Sequence, residues 1–274
     1  MTSKRQTILM CPPDHYGVDY VINPWMAGQC GKTDAALAMR QWEGLKDALS
    51  AYADITLVPA QPKLPDMVFT ANAGIVLGNT VVVSRFRNVE RQGEEPHFKE
   101  WFDSYGFDCA DWAQEVPFEG AGDALWDRAL PLLWIGSGFR SDQAAPALLE
   151  KIYGRRVVPM KLVDPRFYHL DTCLCPLPRG YLMYYPAAFA AESLAELESL
   201  VPADKRIAVE AEDAAHFACN AVDLDDRVFM NGASESLQNR LKSAGFNAIL
   251  TPLTEFLKAG GTAKCLTLKL VEKE

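Results

Sequence analysis

The chain has 274 residues, 49% hydrophobic and 23% charged, a length that suits one large or two small domains and buries a core without structural metals or disulfides. Its 27 Lys and Arg against 36 Asp and Glu leave a net charge of −9, which argues against a basic nucleic-acid-binding face and weakly attracts small cations. No apolar run is long enough for a transmembrane helix, and the stretch after Lys4 and Arg5 is too short for a signal peptide, so no membrane partner is expected.

Seven cysteines, Cys11, Cys30, Cys109, Cys173, Cys175, Cys219 and Cys265, make an odd and irregularly spaced set. That pattern argues against a disulfide framework and for a reducing, cytoplasmic setting. Cys173 and Cys175 have no second Cys or His pair to complete a zinc site, and are predicted as core residues of a strand over Leu170–Leu177.

In chain order, Gln6–Cys11 reads as a first strand and Thr33–Ala53 as a helix with apolar residues at helical spacing. Pro59–Pro65 is a proline-rich loop. Strand pairs are then predicted for Phe69–Ile75 with Thr80–Phe86, Phe118–Asp123 with Ala129–Phe139, Tyr168–Cys175 with Gly180–Phe189, and Ala218–Leu224 with Arg227–Ala233. Helical spacing recurs between them, over Pro96–Tyr105, Gln143–Tyr153, Ala191–Val201 and Ser234–Ala244, the last opened by Ser234 as N-cap. Gly261–Val271 is a final strand-like run able to pair with Gln6–Cys11.

Each first segment holds a polar residue among apolar or small ones: Asn72, Asp123, Asp171, Asn220 and Cys265, at intervals of 51, 48, 49 and 45 residues. A period near fifty belongs to arrays and propellers. The chain therefore reads as a single catalytic domain over 1–274, an α/β fold of five strand–strand–helix units. Its end strands pair, which removes free sheet edges, and its five polar residues converge on the axis.

The chemistry-bearing residues lie at those positions. Cys265 follows Gly260–Gly261–Thr262–Ala263–Lys264, where glycines permit close backbone approach, and a thiolate is the strongest nucleophile available near neutral pH. His169 and Asp171, two apart, face the same way if their segment is a strand, setting an acid–base group beside a carboxylate. Glu119 and Asp123 flank Gly120–Ala121–Gly122, and Asn72 sits in Phe69–Thr70–Ala71–Asn72–Ala73–Gly74. His15 and His97 lack such settings and are expected to be solvated. No phosphate-binding glycine loop or metal cluster appears, so no cofactor is expected.

Asn72, Phe118–Asp123, His169–Asp171 and Gly260–Cys265 occur in the order and spacing of the guanidine-modifying, or pentein, superfamily, which this chain resembles over essentially its whole length. That superfamily includes arginine deiminase, dimethylarginine hydrolase and glycine amidinotransferase, on a five-bladed α/β propeller. Met10–Cys11–Pro12–Pro13–Asp14 and Asn23–Pro24–Trp25–Met26 look closest to its arginine dihydrolase branch, which takes arginine to ornithine, carbon dioxide and two ammonia. In that branch the domain is often fused to a downstream ornithine-processing domain, whereas this sequence resembles the catalytic domain standing alone.

The resemblance implies roles. Cys265 is the expected nucleophile and His169 the general acid and base. Glu119 and Asp171 are expected to hold the guanidinium and orient the histidine, and Asp123 to support them or contact the substrate amine. Arg91 and Arg140 are expected to bind the substrate carboxylate, and Asn23 to belong to the entrance loop. Deiminases commonly carry Asp where this chain has Asn72. A neutral amide both donates to and accepts from a neutral ureido group, which favours retention of citrulline for a second attack. Arginine deiminase, dimethylarginine hydrolase and amidinotransferase are the alternative enzymes. A non-catalytic ribosome-associated factor of the same fold is the alternative binding protein. The expected partner is a small guanidino substrate, with homo-oligomerisation open. Met26–Gly31, with Gly28 and Gly31, is a candidate lid.

Overall fold

The computed structural model describes residues 5–113 and 115–270. Among the described residues, the strands form five separate three-stranded sheets. The first joins β1 (Gln6–Met10) to β2 (Ala53–Leu57), and the second holds β3 (Gly74–Leu77), β4 (Thr80–Val83) and β5 (Asp108–Cys109). The third holds β6 (Ala124–Trp126), β7 (Leu132–Ser137) and β8 (Arg156–Lys161). The fourth holds β9 (Leu174–Leu177), β10 (Tyr181–Tyr184) and β11 (Arg206–Ala208); the fifth, β12 (Val222–Leu224), β13 (Arg227–Met230) and β14 (Asn247–Leu250). The last strand, β15 (Leu268–Lys269), returns to the first sheet, antiparallel to β1, with Leu9 opposite Leu268.

Every sheet repeats one plan: an antiparallel pair, a helix, then a parallel third strand. A parallel neighbour needs a crossover, and a helix supplies it. The crossing helices are Ala35–Ser50, Glu95–Tyr105, Ala145–Tyr153, Ala191–Leu200 and Glu235–Ser243. Asp34 and Ser234 cap two of them by accepting from the N–H groups of Leu37 and Leu237. Gly106 and Gly154, at φ 93° and 60°, stop two others in the left-handed conformation that glycine adopts without strain. Trp42, Leu45 and Leu49 of the first helix are buried against the sheets, as are Phe98 and Phe102 of the second.

The segments predicted as strands around the polar residues are shorter strands preceded by tight turns. Thr70–Ala73 and Leu170–Thr172 are single 3₁₀ turns, Gly120–Asp123 is one helical turn, and Asn220 and Cys265 also lie in turns or bends before β12 and β15. Asn72, Asp123, Asp171, Asn220 and Cys265 thus occupy equivalent places, all buried. His169 and Asp171 are not alternate residues of a strand, because the turn between them rotates the chain. Cys173 precedes β9 rather than lying within it, and both it and Cys175 are buried free thiols. Val271, placed in the last predicted strand, lies outside the described residues.

Candidate active site

The five turns stack side by side, and their closeness explains the small residues. Gly120, at φ 58°, has space for no Cβ: one would lie 2.8 Å from the amide nitrogen of Gly74 and 2.9 Å from the carbonyl of Ala71. A side chain at Gly122 would strike the Asn72 amide. These contacts bring Glu119, Asn72 and His169 together from sequence positions far apart.

Cys265 is 3% exposed and its Sγ lies 3.5 Å from Asp171 Oδ2 and 3.8 Å from Oδ1. Asn220 holds both groups: its Nδ2 lies 3.1 Å from Cys265 Sγ and donates at 3.1 Å to the carbonyl of Asp171. Its Oδ1 accepts from the N–H groups of Thr262 and Cys265 at 3.1 and 3.2 Å. Asn220 was legible only as a repeat position, not as a site residue. Burial pushes the Cys265 thiol well above its usual range and the Asp171 carboxylate adds to the rise. Burial likewise pushes Asp171 up to about 7, against the Lys264 ammonium and its hydrogen bonds. The resting pair is therefore short of positive charge.

Glu119 engages the imidazole, with Oε2 2.7 Å from His169 Nε2. The same oxygen accepts from Arg140 Nη1 at 3.0 Å, and Oε1 accepts from the Arg87 N–H at 3.2 Å. Although burial opposes ionisation of Glu119, Arg140 and His169 outweigh it and hold the carboxyl well below the usual range. Glu119 thus faces the histidine and arginine, while Asp171 faces the thiol. Asp123 accepts from the N–H and hydroxyl of Ser141 at 3.1 and 2.7 Å and from the Leu170 N–H at 3.1 Å. All these bonds are internal, so Asp123 ties the His169 turn to its neighbour, and burial raises it to about 6.

A cavity opens over Cys265, lined by Ile22, Asn23, Asp66, Asn72, Arg91 and Arg140 among others. Arg91 and Arg140 are 3% and 4% exposed. Arg91 is gripped by both oxygens of Glu94 at 2.8 Å and donates at 2.9 Å to Asn72 Oδ1. Asn72 Nδ2 in turn donates to the Glu119 carbonyl at 3.0 Å. Asn72 thus spends one donor and one acceptor on the protein before any ligand arrives. Asn23 accepts from the N–H groups of Trp25 and Met26 and donates to the Ala259 carbonyl, binding the entrance loop to the segment before Gly260.

Asp66 is a cavity residue that sequence reasoning missed. Its Oδ2 accepts from Tyr20 at 2.9 Å, and its buried Oδ1 has no hydrogen-bond partner among the described residues. The available signal was an acid beside the apolar run Met67–Val68–Phe69. His15, by contrast, is exposed and His97 half-exposed. Among the described residues, no group of three or more His, Cys, Asp or Glu is placed to hold a metal ion, and no helix is long and apolar enough to cross a membrane.

Residues 22–272 match the family model described as N,N dimethylarginine dimethylhydrolase, eukaryotic. The chain belongs to this family of guanidine-modifying enzymes. A dimethylarginine dimethylaminohydrolase of Mycobacterium tuberculosis is 38% identical over 98% of this chain and 87% of its own length. The bifunctional arginine dihydrolase/ornithine cyclodeaminase ArgZ of Synechocystis is 55% identical over 97% of this chain, and AgrE of Nostoc is 54% identical over 99%. The chain spans 38% of the length of each of these two relatives. The crystal structure of the N-terminal domain of ArgZ, a cysteine-to-serine variant bound to substrate, superposes with a TM-score of 0.97 and covers 98% of this chain and 99% of that domain. Family membership thus joins the arrangement around Cys265 to a known guanidine chemistry.

Proposed function

We propose that this chain is an arginine dihydrolase domain, converting arginine and two waters to ornithine, carbon dioxide and two ammonia. The observation that carries the reading is the thiol of Cys265 set against Asp171 at the base of a cavity that also contains Asn72, Arg91 and Arg140. The likeness to ArgZ and AgrE supports the choice of reaction within the family. The five sheets are read as blades of one closed propeller, with a small guanidino compound as its partner in a reducing cytoplasm.

Arginine enters with its carboxylate toward Arg91 and Arg140, whose guanidinium forks suit a carboxylate. Its ammonium goes to the unpartnered Oδ1 of Asp66. The cationic guanidinium meets Asp171, which lowers the cost of ionising both Asp171 and Cys265. The thiolate attacks the guanidino carbon, and His169, held by Glu119, protonates the departing ammonia. His169 then takes a proton from water as it attacks the amidino-thioether, and the thiolate leaves citrulline. A second attack on the ureido carbon expels the second ammonia. A second water hydrolyses the resulting S-thiocarbamate, freeing the thiol and giving the ornithine carbamate, which loses carbon dioxide.

Mass-spectrometric product analysis of the purified chain, supplied separately with arginine and citrulline, tests the reading. Ornithine with two equivalents of ammonia from arginine is expected. Citrulline as sole product would replace it with deiminase activity. Dimethylarginine hydrolysis is the second reading, favoured by the family model; faster turnover of dimethylarginine than of arginine would select it.

A further inference from the structure

Cys265 presents a difficulty that its recognised neighbours do not resolve. Burial and Asp171 both disfavour its thiolate, and Asn220 and the Thr262 N–H supply only neutral dipoles. Tyr168, packed nearby, donates its hydroxyl to the Gly260 carbonyl at 2.7 Å and brings no positive charge. The groups bearing on the thiol are thus Asp171 and Tyr168 from the His169 segment, Asn220 from the turn before β12, and Lys264 and Thr262 from its own turn. Of these, Lys264 alone is a cation; Arg91 and Arg140, which line the same cavity as Cys265, are paired with Glu94 and Glu119.

Lys264 precedes the nucleophile in the chain, yet it is not among the residues lining the cavity. Its side chain is half-buried, and Nζ donates at 3.2 Å to the carbonyl of Ala121, inside the turn that carries Glu119 and Asp123. That bond fixes an ammonium within electrostatic range of both Asp171 and Cys265, where Lys264 opposes the effect of burial on each. An ammonium in a poorly solvated setting acts over several ångströms with little screening.

We propose that Lys264 is a positioning residue for the nucleophile: anchored on the Glu119–Asp123 turn, its ammonium balances the Asp171 carboxylate from outside the cavity, so that Cys265 can ionise without depending wholly on the substrate's charge. The proposal rests on Cys265 being the nucleophile, but not on which guanidino compound is turned over. Lys264 itself touches no reacting atom.

The test is the pH dependence of Cys265 alkylation by iodoacetamide in the substrate-free protein, read on the Cys265 peptide by mass spectrometry. Lys264→Gln retains a donor for the Ala121 carbonyl and removes the charge; Lys264→Arg retains the charge. Lys264→Gln is expected to move the midpoint upward by about one pH unit, slowing alkylation near neutral pH roughly tenfold. Lys264→Arg is expected to stay within about threefold of wild type, since the charge is kept at a similar distance. Circular dichroism establishes that each variant is folded, and Lys264→Met replaces Lys264→Gln should the latter fail that check. An unshifted midpoint in the folded neutral variant overturns the proposal, as does a Lys264→Arg profile displaced as far as that of Lys264→Gln. Absence of ornithine from the product analysis would sink the dihydrolase reading while leaving this measurement interpretable.

Discussion

Glu119 Oε2 lies 2.7 Å from His169 Nε2 while taking Arg140 Nη1 at 3.0 Å, so one buried oxygen joins the proposed general acid to a cavity-lining arginine. In Glu119→Gln the imidazole loses its counter-charge and Arg140 its anionic partner. The expected result is a fall in kcat of about 10²–10⁴, the range associated with positioned acid–base catalysis. Steady-state ammonia release measures it, and a fall below tenfold would detach Glu119 from the proton transfers.

Asn72 is held at both ends, by Arg91 on Oδ1 and by the Glu119 carbonyl on Nδ2. An aspartate there keeps an ion pair with Arg91 but accepts only, and it turns a carboxylate oxygen toward a carbonyl. Asn72→Asp is expected to release citrulline in place of most ornithine and to lose ~1–3 kcal/mol of stability from the frustrated bond. Product ratios and denaturant unfolding report the two effects; a product mixture still dominated by ornithine would remove Asn72 from the control of the second attack.

Asp171 works against ionisation of Cys265 in the empty site. Neutralising it in Asp171→Asn is expected to lower the pH midpoint of Cys265 alkylation by about one unit or more, because a negative neighbour less than 4 Å from the sulfur is removed. On the proposed reading, turnover of arginine is expected to fall in the same variant, since the guanidinium would lose its carboxylate. Alkylation whose midpoint rises instead would contradict the placement of that charge.

Arg91 holds Glu94, which is fully buried and already raised to about 7 by burial despite that partner. Arg91→Met leaves this carboxyl unpaired and is expected to destabilise the fold by ~3–5 kcal/mol at neutral pH. An acid whose folded pKa exceeds its unfolded value binds more protons when folded, so stability declines as pH rises from the unfolded value through the folded one. Without Arg91 the Glu94 carboxyl is held higher still, so the variant should regain stability as pH falls from the alkaline side toward the unfolded carboxyl value, in thermal unfolding scans. A stability deficit independent of pH would assign the loss to packing.

Much of the architecture was legible because it repeats. The helices Ala35–Ser50 and Glu235–Ser243 announce themselves through capped, amphipathic runs, and the near-fifty-residue recurrence from Asn72 to Cys265 identifies five equivalent positions. The site was legible as a set of residue types but not as a set of partners. Asp171 and Cys265 are 94 residues apart in sequence, and the contact between them depends on how two turns stack. Short polar segments also disguise their conformation: Leu170–Thr172 has the composition of a strand and folds as a 3₁₀ turn, since three residues are too few for either periodicity to declare itself. Asp66 escaped notice because its role depends on Tyr20 and Arg91, neither adjacent in the chain.

The pairing of β15 with β1 has a consequence for how the protein is made. During synthesis β1 emerges long before its antiparallel neighbour, and Cys265, the proposed nucleophile, lies three positions ahead of that neighbour. A nascent chain in which Leu268 has not yet emerged therefore leaves β1 without its antiparallel neighbour and Cys265 unseated, so the proposed site is assembled only when β15 docks beside β1.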